Sequence, residues 1–295
     1  MTAPPRVDAA AVRRTLRAAG LRARSSMSQN FLVDPDVLEA ILAEAAAGPG
    51  SRVLEIGPGL GILTRGLLDA GAAVTAVELD RGLAAFLSED LAESLAAGRL
   101  KIIQDDALDQ DLNRLVEPPY DVVANLPYHI TSPILHRLLG EPPRPRRLVL
   151  MVQREVAERI AAPPGQMSYL SVFVQYHARI EIALTVPPSA FEPSPAVDSA
   201  VVALEPYPDD DRLPTAEDED HLWRVVQAAF RERRKMLHNV LTRQLPLEPA
   251  RVEKALAAAG IAPDRRPQTL AVGEWLRLVE ALGEVGPDVR GRKSG

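Results

Sequence analysis

Asn125-Leu-Pro-Tyr128 gathers an amide, a backbone carbonyl stiffened by the following proline, and an aromatic face within four residues. The Asn125 side-chain oxygen and the Leu126 carbonyl are acceptors that can converge on one amine. An exocyclic amine such as adenine N6 is a poor nucleophile because its lone pair is delocalised into the ring. Acceptors aimed at both of its hydrogens would bias the nitrogen toward a tetrahedral, reactive geometry. Tyr128 offers a flat face for a base taken out of its stack. The motif follows a short apolar stretch, Asp121–Ala124, that reads as a strand.

A second cluster sits upstream. Glu55-Ile-Gly-Pro-Gly-Leu-Gly61 lies between a strand pattern and a helix pattern, where glycines allow a tight turn and close approach of backbone to a ligand. A dinucleotide loop would read G-x-G-x-x-G/A. This one reads G-x-G-x-G, and Pro58 removes a backbone donor that a phosphate nest would use. The spacing suits a nucleoside ligand without a pyrophosphate, such as S-adenosylmethionine. Glu78 ends the next strand pattern, about 20 residues on, where a carboxylate can accept from both hydroxyls of a ribose. Asp105-Asp106-Ala107 follows the third strand; one aspartate there can accept from an adenine amine while the other caps a helix or faces solvent. Residue chemistry leaves open which does which.

These groups need a sheet to bring them together. Arg52–Ile56, Ala73–Glu78, Leu100–Ile103, Asp121–Ala124 and Leu148–Val152 are brief and apolar throughout, and they alternate with the helical patterns Ile62–Ala70, Arg81–Ala97 and Ser132–Leu139. That rhythm predicts a parallel sheet covered on both faces. Arg179–Val186 and Val197–Leu204, joined by a proline-rich corner, predict an antiparallel hairpin at its end. After the charged, proline-punctuated Tyr207–Pro214, the segments Asp218–Leu245, Glu248–Ala259 and Val272–Ala281 are amphipathic helices without strand pattern.

Composition narrows the class. With 46% hydrophobic and 25% charged residues, the chain falls in the globular range rather than the disordered or fibrous one. No apolar run approaches the ~18 residues of a membrane span, and the start lacks a secretory core, so a cytoplasmic protein without a membrane role is expected. Cysteine is absent, which excludes disulfides, thiol nucleophiles and cysteine metal sites. The five histidines show no zinc spacing, so no metal is expected. The net charge of −6 argues mildly against a nucleic-acid partner, but arginines cluster at Arg6–Arg24, Arg144–Arg147, Arg231–Lys235 and Arg265–Arg266, while acidic runs gather at Asp209–Asp211 and Glu217–Asp220.

Seven blocks in order resemble the ribosomal RNA adenine dimethyltransferase family. They are Ser28-Gln-Asn-Phe-Leu32, Val53–Gly61, Val77-Glu-Leu-Asp80, Asp105-Asp-Ala107, Asn125–Tyr128, Phe191-Glu-Pro-Ser-Pro-Ala-Val-Asp-Ser199 and Arg233-Arg-Lys-Met-Leu237. The likeness is greatest to the family's bacterial small-subunit branch. It implies a fold of class α/β: a Rossmann-like S-adenosylmethionine-dependent methyltransferase sheet with a small C-terminal all-helical domain. The expected division is a basic N-terminal arm at 1–27, the methyltransferase domain at 28–207, the helical domain at 208–284 and a tail at 285–295. The resemblance implies S-adenosylmethionine binding by Asn30, Leu32, Gly57, Glu78, Asp106 and Asn125, which selects Asp106 from the aspartate pair. It implies catalytic positions at Asn125, Leu126, Tyr128 and Phe191, with Phe191 sandwiching the adenine against Tyr128. The implied reaction is dimethylation of N6 on two adjacent adenosines near the 3′ end of 16S rRNA, with a role in small-subunit biogenesis. A monomer acting on the small ribosomal subunit, and not on DNA, is expected. A large-subunit enzyme conferring macrolide resistance and an assembly factor whose binding outweighs catalysis are the alternatives. For the RNA, Arg22, Arg24, Arg144, Arg146, Arg147, Arg233, Arg234 and Lys235 are expected to form a basic surface around the pocket mouth.

Overall fold

A computed structural model of the chain describes residues 8–24, 29–208, 216–232 and 234–285. The described residues divide into two units, one from 8 to 158 together with 178–206, the other 159–177 together with the described part of 207–285. The first unit opens with α1 (Ala9–Ala18), the short β1 (Phe31–Leu32) and α2 (Pro35–Ala45). It continues through β2 (Arg52–Ile56), α3 (Ile62–Asp69), β3 (Ala73–Glu78), α4 (Arg81–Asp90), α5 (Ala92–Ala96) and β4 (Leu100–Gln104). Then come β5 (Asp121–Asn125), α6 (Thr131–Gly140), β6 (Arg147–Gln153) and α7 (Arg154–Ile160), which crosses into the second unit and leads to its α8 (Tyr169–His177). The chain returns to the first unit for β7 (Ala178–Val186), β8 (Phe191–Glu192) and β9 (Ser199–Pro206).

Seven strands form one sheet in the order β4-β3-β2-β5-β6-β9-β7, and β1 pairs separately with β8. β4, β3, β2, β5 and β6 are parallel, and β9 and β7 complete the sheet antiparallel. The alternation of apolar strands and helices read from sequence thus gives the expected mostly parallel sheet. The chain runs outward from β2 through β3 to β4, then returns to build β5 and β6 on the other side. The reversal falls between β2 and β5, and a crevice opens at the carboxyl ends of strands at such a switch point. Gly57 follows β2 there, and Asn125 ends β5. Helix starts support this edge: Asp34 caps α2 and Asp80 caps α4, each accepting from backbone N–H groups of the first turn.

The second unit has its own core. α9 (Ala216–Phe230), α10 (Leu237–Gln244), α11 (Pro249–Ala258) and α12 (Val272–Leu282) enclose Leu222, Val226, Leu241, Leu256, Trp275 and Leu278, joined by Val172 and Tyr176 of α8. The segment 159–177, placed by sequence in the methyltransferase domain, belongs to this helical unit instead. The reason is visible in α8, whose Val172 and Tyr176 join the core of α9–α12 and whose Phe173 and Tyr176 rings pack on Trp223 of α9.

Candidate active site

One cavity of about 280 Å³ lies at the carboxyl edge of the first unit, and Asn30, Leu32, Gly57, Glu78, Asp106, Asn125, Leu126 and Tyr128 all contribute to its walls. Residues from five separate stretches of sequence therefore meet in one place. The turn after β2 is held by Gly57 N–H donating to the Val77 carbonyl and Gly61 N–H donating to Pro58. At Gly59, φ is +59° and an added Cβ would lie 3.1 Å from the Phe31 ring, so the absent side chain is what lets Phe31 of β1 lie against the loop.

Glu78 is buried, and its two oxygens accept from Gly59 N–H at 3.0 Å and Asp80 N–H at 2.8 Å. Burial pushes its carboxyl above the ordinary glutamate value, while those backbone donors pull it down. Each oxygen keeps a lone pair for a further donor. The two aspartates after β4 differ in their surroundings. Asp105 is exposed, with one oxygen accepting from Asp106 N–H at 2.8 Å and the other from the Gln110 amide at 2.6 Å. Asp106 is half-buried and spends only one oxygen, on Leu108 N–H at 2.8 Å. Its remaining oxygen has acceptor capacity left for a ligand.

The acceptor loop is fixed by its neighbours. The Asn125 amide nitrogen donates to the Asn30 carbonyl at 3.2 Å, which leaves Oδ1 as the group available to accept. Leu126 N–H donates to the Met151 carbonyl at 3.1 Å, tying the loop to β6. Tyr128 is half-buried on a turn spanning Tyr128–Ile130, with its phenol 2.8 Å from the Ser199 hydroxyl. Burial raises the phenol above its usual value, so it stays protonated at neutral pH.

Phe191 departs from expectation. Its ring is 2% exposed, packed in a core with Leu32, Val186 and Ala190, and it does not line the cavity. The cause is the β1–β8 pairing, which sets Leu32 opposite Phe191 and draws the aromatic inward. The sandwich of Tyr128 and Phe191 is not assembled in this conformation.

The arginines separate into two groups. Arg144, Arg146 and Arg147 precede or begin β6, at the amino edge of the parallel strands, so they do not surround a pocket at the carboxyl edge. A strand of this length spans roughly 20 Å. Their heads are also committed to the fold: Arg144 donates to the Leu139 and Gly140 carbonyls at the end of α6, Arg146 forks onto buried Asp121, and Arg147 pairs with Glu44. Arg22 and Arg24 are exposed, and Arg24 reaches Asp80 at 3.1 Å, beside the end of β3. Arg234 and Lys235 are exposed on the second unit; Arg233 lies outside the described residues.

Two participants escaped sequence reasoning. Glu55, on the cavity wall but only 1% exposed, accepts from the Thr64 hydroxyl at 2.7 Å. Burial drives its carboxyl up to about 8, against the Thr64 hydrogen bond and with help from the Glu78 charge. Nothing in the spacing of Glu55 and Thr64 announces the pair. Ser199 closes a block that the sequence does single out, but its partner is 71 residues away, beyond any local pattern.

The chain is similar to known proteins over most of its length. A family model described as ribosomal RNA adenine dimethylase matches residues 20–284. Ribosomal RNA small subunit methyltransferase A of Moorella thermoacetica is 44% identical over 281 residues, which cover 90% of this chain and 95% of that one. The protein of the same name from Pseudomonas syringae pv. syringae is 42% identical over 268 residues, 89% of this chain and 96% of its own. Among solved structures, the 23S rRNA methyltransferase ErmE is similar with a TM-score of 0.68 at 31% identity, covering 86% of this chain and 99% of that one. A dimethyladenosine transferase from Plasmodium falciparum has a TM-score of 0.70 at 26% identity, over 84% and 95% of the two chains.

Proposed function

The chain belongs to the ribosomal RNA adenine dimethylase family, and from that premise we propose that it dimethylates N6 of adjacent adenosines in the RNA of the small ribosomal subunit, using S-adenosylmethionine. The observation that carries this reading is the convergence of Asn125, Leu126 and Tyr128 with Glu78 and Asp106 on one cavity. The relatives at 42–44% identity carry the small-subunit name.

The cavity suits S-adenosylmethionine on its own chemistry: Glu78 has lone pairs left for ribose hydroxyls, Asp106 has an unspent oxygen for the adenine amine, and Ile56, Leu60, Leu63 and Val77 supply apolar wall. Asn30, Leu32, Gly57 and Asn125 would complete the hold. When bound, this cofactor supplies a sulfonium-borne methyl group as the electrophile. The protein supplies position and electrostatics. Asn125 Oδ1 and the Leu126 carbonyl accept from the target N6 hydrogens, and the Tyr128 ring supports the flipped base. No dedicated base is needed, because a methylated aminium is acidic enough to release its proton to water.

On the RNA side, α1 is the natural rim. Its Val12 and Leu16 pack with Phe31, Leu60 and Leu83, three residues of the cavity wall, and it turns Arg14 and Arg17 to solvent. With Arg22 these form a cationic approach, while the charge of Arg24 is met by Asp80. The decisive experiment incubates the protein and labelled S-adenosylmethionine with immature small subunits, mature small subunits, large subunits and DNA. Label in immature small-subunit RNA, recovered as dimethyladenosine, is expected; label confined to large subunits or DNA would sink the assignment.

A further inference from the structure

Ser199 is completely buried and lies outside the cavity wall, yet its hydroxyl is the sole polar partner of the Tyr128 phenol among the described residues, at 2.8 Å. The topology explains how a residue so distant in sequence arrives there. β9 runs antiparallel to β6, so its first residue lands at the carboxyl edge beside the end of β6, one strand away from β5, and the loop that β5 carries brings Tyr128 across to it. Ser199 is paired with Gln153 on one side and Val186 on the other, so its hydroxyl rests on a framework held by two ladders. Tyr128 rests on one turn of three residues with no side-chain cap. The phenol is protonated at neutral pH and can donate. A rigid, buried hydroxyl therefore holds the far end of a ring whose own backbone support is slight.

We propose that Ser199 is a positioning residue for methyl transfer: it anchors the Tyr128 phenol and thereby keeps the ring plane fixed where the base is received. The proposal rests on the adenine N6 dimethylation reading and deepens it. Two rounds of transfer make the plane matter unequally. The first round receives a primary amine, whereas the second must admit a nitrogen that already carries a methyl and has one hydrogen left for the acceptors of the loop. A ring free to drift penalises the second round more than the first, so the ratio of mono- to dimethyladenosine reports the anchor.

The test compares Ser199→Ala, Tyr128→Phe and the double variant on immature small subunits with S-adenosylmethionine, following kcat, KM, product ratio and thermal midpoint. Each single variant removes the same hydrogen bond from opposite ends. Each is expected to lose about fivefold in kcat, the loss of one well-placed hydrogen bond, with KM for the subunit little changed and monomethyladenosine accumulating. The double variant should be no worse than the more affected single one, because the residues act as a unit. A wild-type product ratio in folded Ser199→Ala, or losses that add in the double variant, would overturn the proposal. Should Ser199→Ala fail to fold, Tyr128→Phe decides alone: its ring remains and only the anchor is lost, so an unaltered product ratio overturns the assignment. The wild-type protein measured alongside separates the two levels. Without transfer to the small subunit the functional reading falls and takes the proposal with it, whereas normal transfer with an indifferent Ser199→Ala removes the proposal alone.

Discussion

A carboxyl group with almost no exposed surface, as Glu55 has, stays neutral well into the range where glutamates are ordinarily charged. Unfolded, it releases its proton near 4.5; folded, it holds the proton to about 8. Between those values the folded chain binds a proton that the unfolded chain has lost, so stability falls as pH rises through that window and levels off above it. Glu55→Gln keeps the shape and an acceptor for Thr64 while having no proton to lose. Thermal unfolding followed from about pH 5 to about pH 9 should therefore decline less steeply in the variant than in the parent. Parallel curves would remove Glu55 as the source. Glu78 is the contrasting carboxyl, because its oxygens already accept from two backbone N–H groups. Glu78→Ala should weaken S-adenosylmethionine binding measured by calorimetry while circular dichroism shows a folded chain; unchanged affinity would take Glu78 out of the site.

At the scale of elements, what the sequence shows depends on whether an element carries a pattern long enough to read. β2 to β6 are apolar runs between turn signals, so their existence and parallel arrangement could be read, whereas their order in the sheet comes from the structure. β1, at two residues, is below any periodicity, so its pairing with β8, and the burial of Phe191 that results, could not be read from the chain. Leucines at 83, 87, 91 and 95 suggest one helix over Arg81–Ala97, but the backbone breaks at Leu91 (φ −111°, ψ 26°) to give α4 and α5; side-chain spacing survives a local break that dihedrals do not. Likewise Asp218–Leu245 reads as one helix and is two, α9 and α10. The same limit applies to the site: Asn125, Glu78 and the Asp105–Asp106 pair announce themselves at strand ends, the choice of Asp106 comes only from the family resemblance, and the Ser199 contact depends on tertiary register. The glycine loop offers an element-level test. Gly61 caps α3 at φ +76°, and an added Cβ would lie 2.5 Å from Cδ2 of the fully buried Leu87. Gly98 has a similar φ of +69° with nothing within 4 Å. Gly98→Ala should cost about 1 kcal/mol in denaturant unfolding, the backbone share alone. Gly61→Ala should cost roughly 2–4 kcal/mol because overpacking is added. Equal losses at the two positions would show that Leu87 yields without penalty.

For the whole molecule, the difficulty is an acidic protein with a polyanionic substrate. The chain carries 34 basic against 40 acidic residues, yet residues 8–24 hold five arginines and one aspartate, and the helix among them packs over residues that wall the cavity. Local potential, not net charge, governs association with RNA. Arginine clusters that look alike in sequence differ in their surroundings. Those leading into β6 stabilise the end of α6 and buried Asp121, while Arg14, Arg17 and Arg22 are exposed and Arg13 and Arg24 pair with Glu192 and Asp80. Binding to small subunits as a function of salt distinguishes them, since each phosphate contact removed lowers the slope of log K against log salt by about one. Arg14→Glu with Arg17→Glu and Arg22→Glu should flatten that slope and weaken binding without altering cofactor affinity. Arg234→Glu with Lys235→Glu tests the second unit in the same way. Arg144→Ala should leave the slope at its wild-type value and lower stability by about 1–2 kcal/mol, because it strips a cation and its hydrogen bonds from a helix C-terminus. A flattened slope in Arg144→Ala together with a wild-type slope in the α1 variant would place the RNA on the opposite edge of the sheet from the cavity, and the cationic approach described for α1 would have to be abandoned.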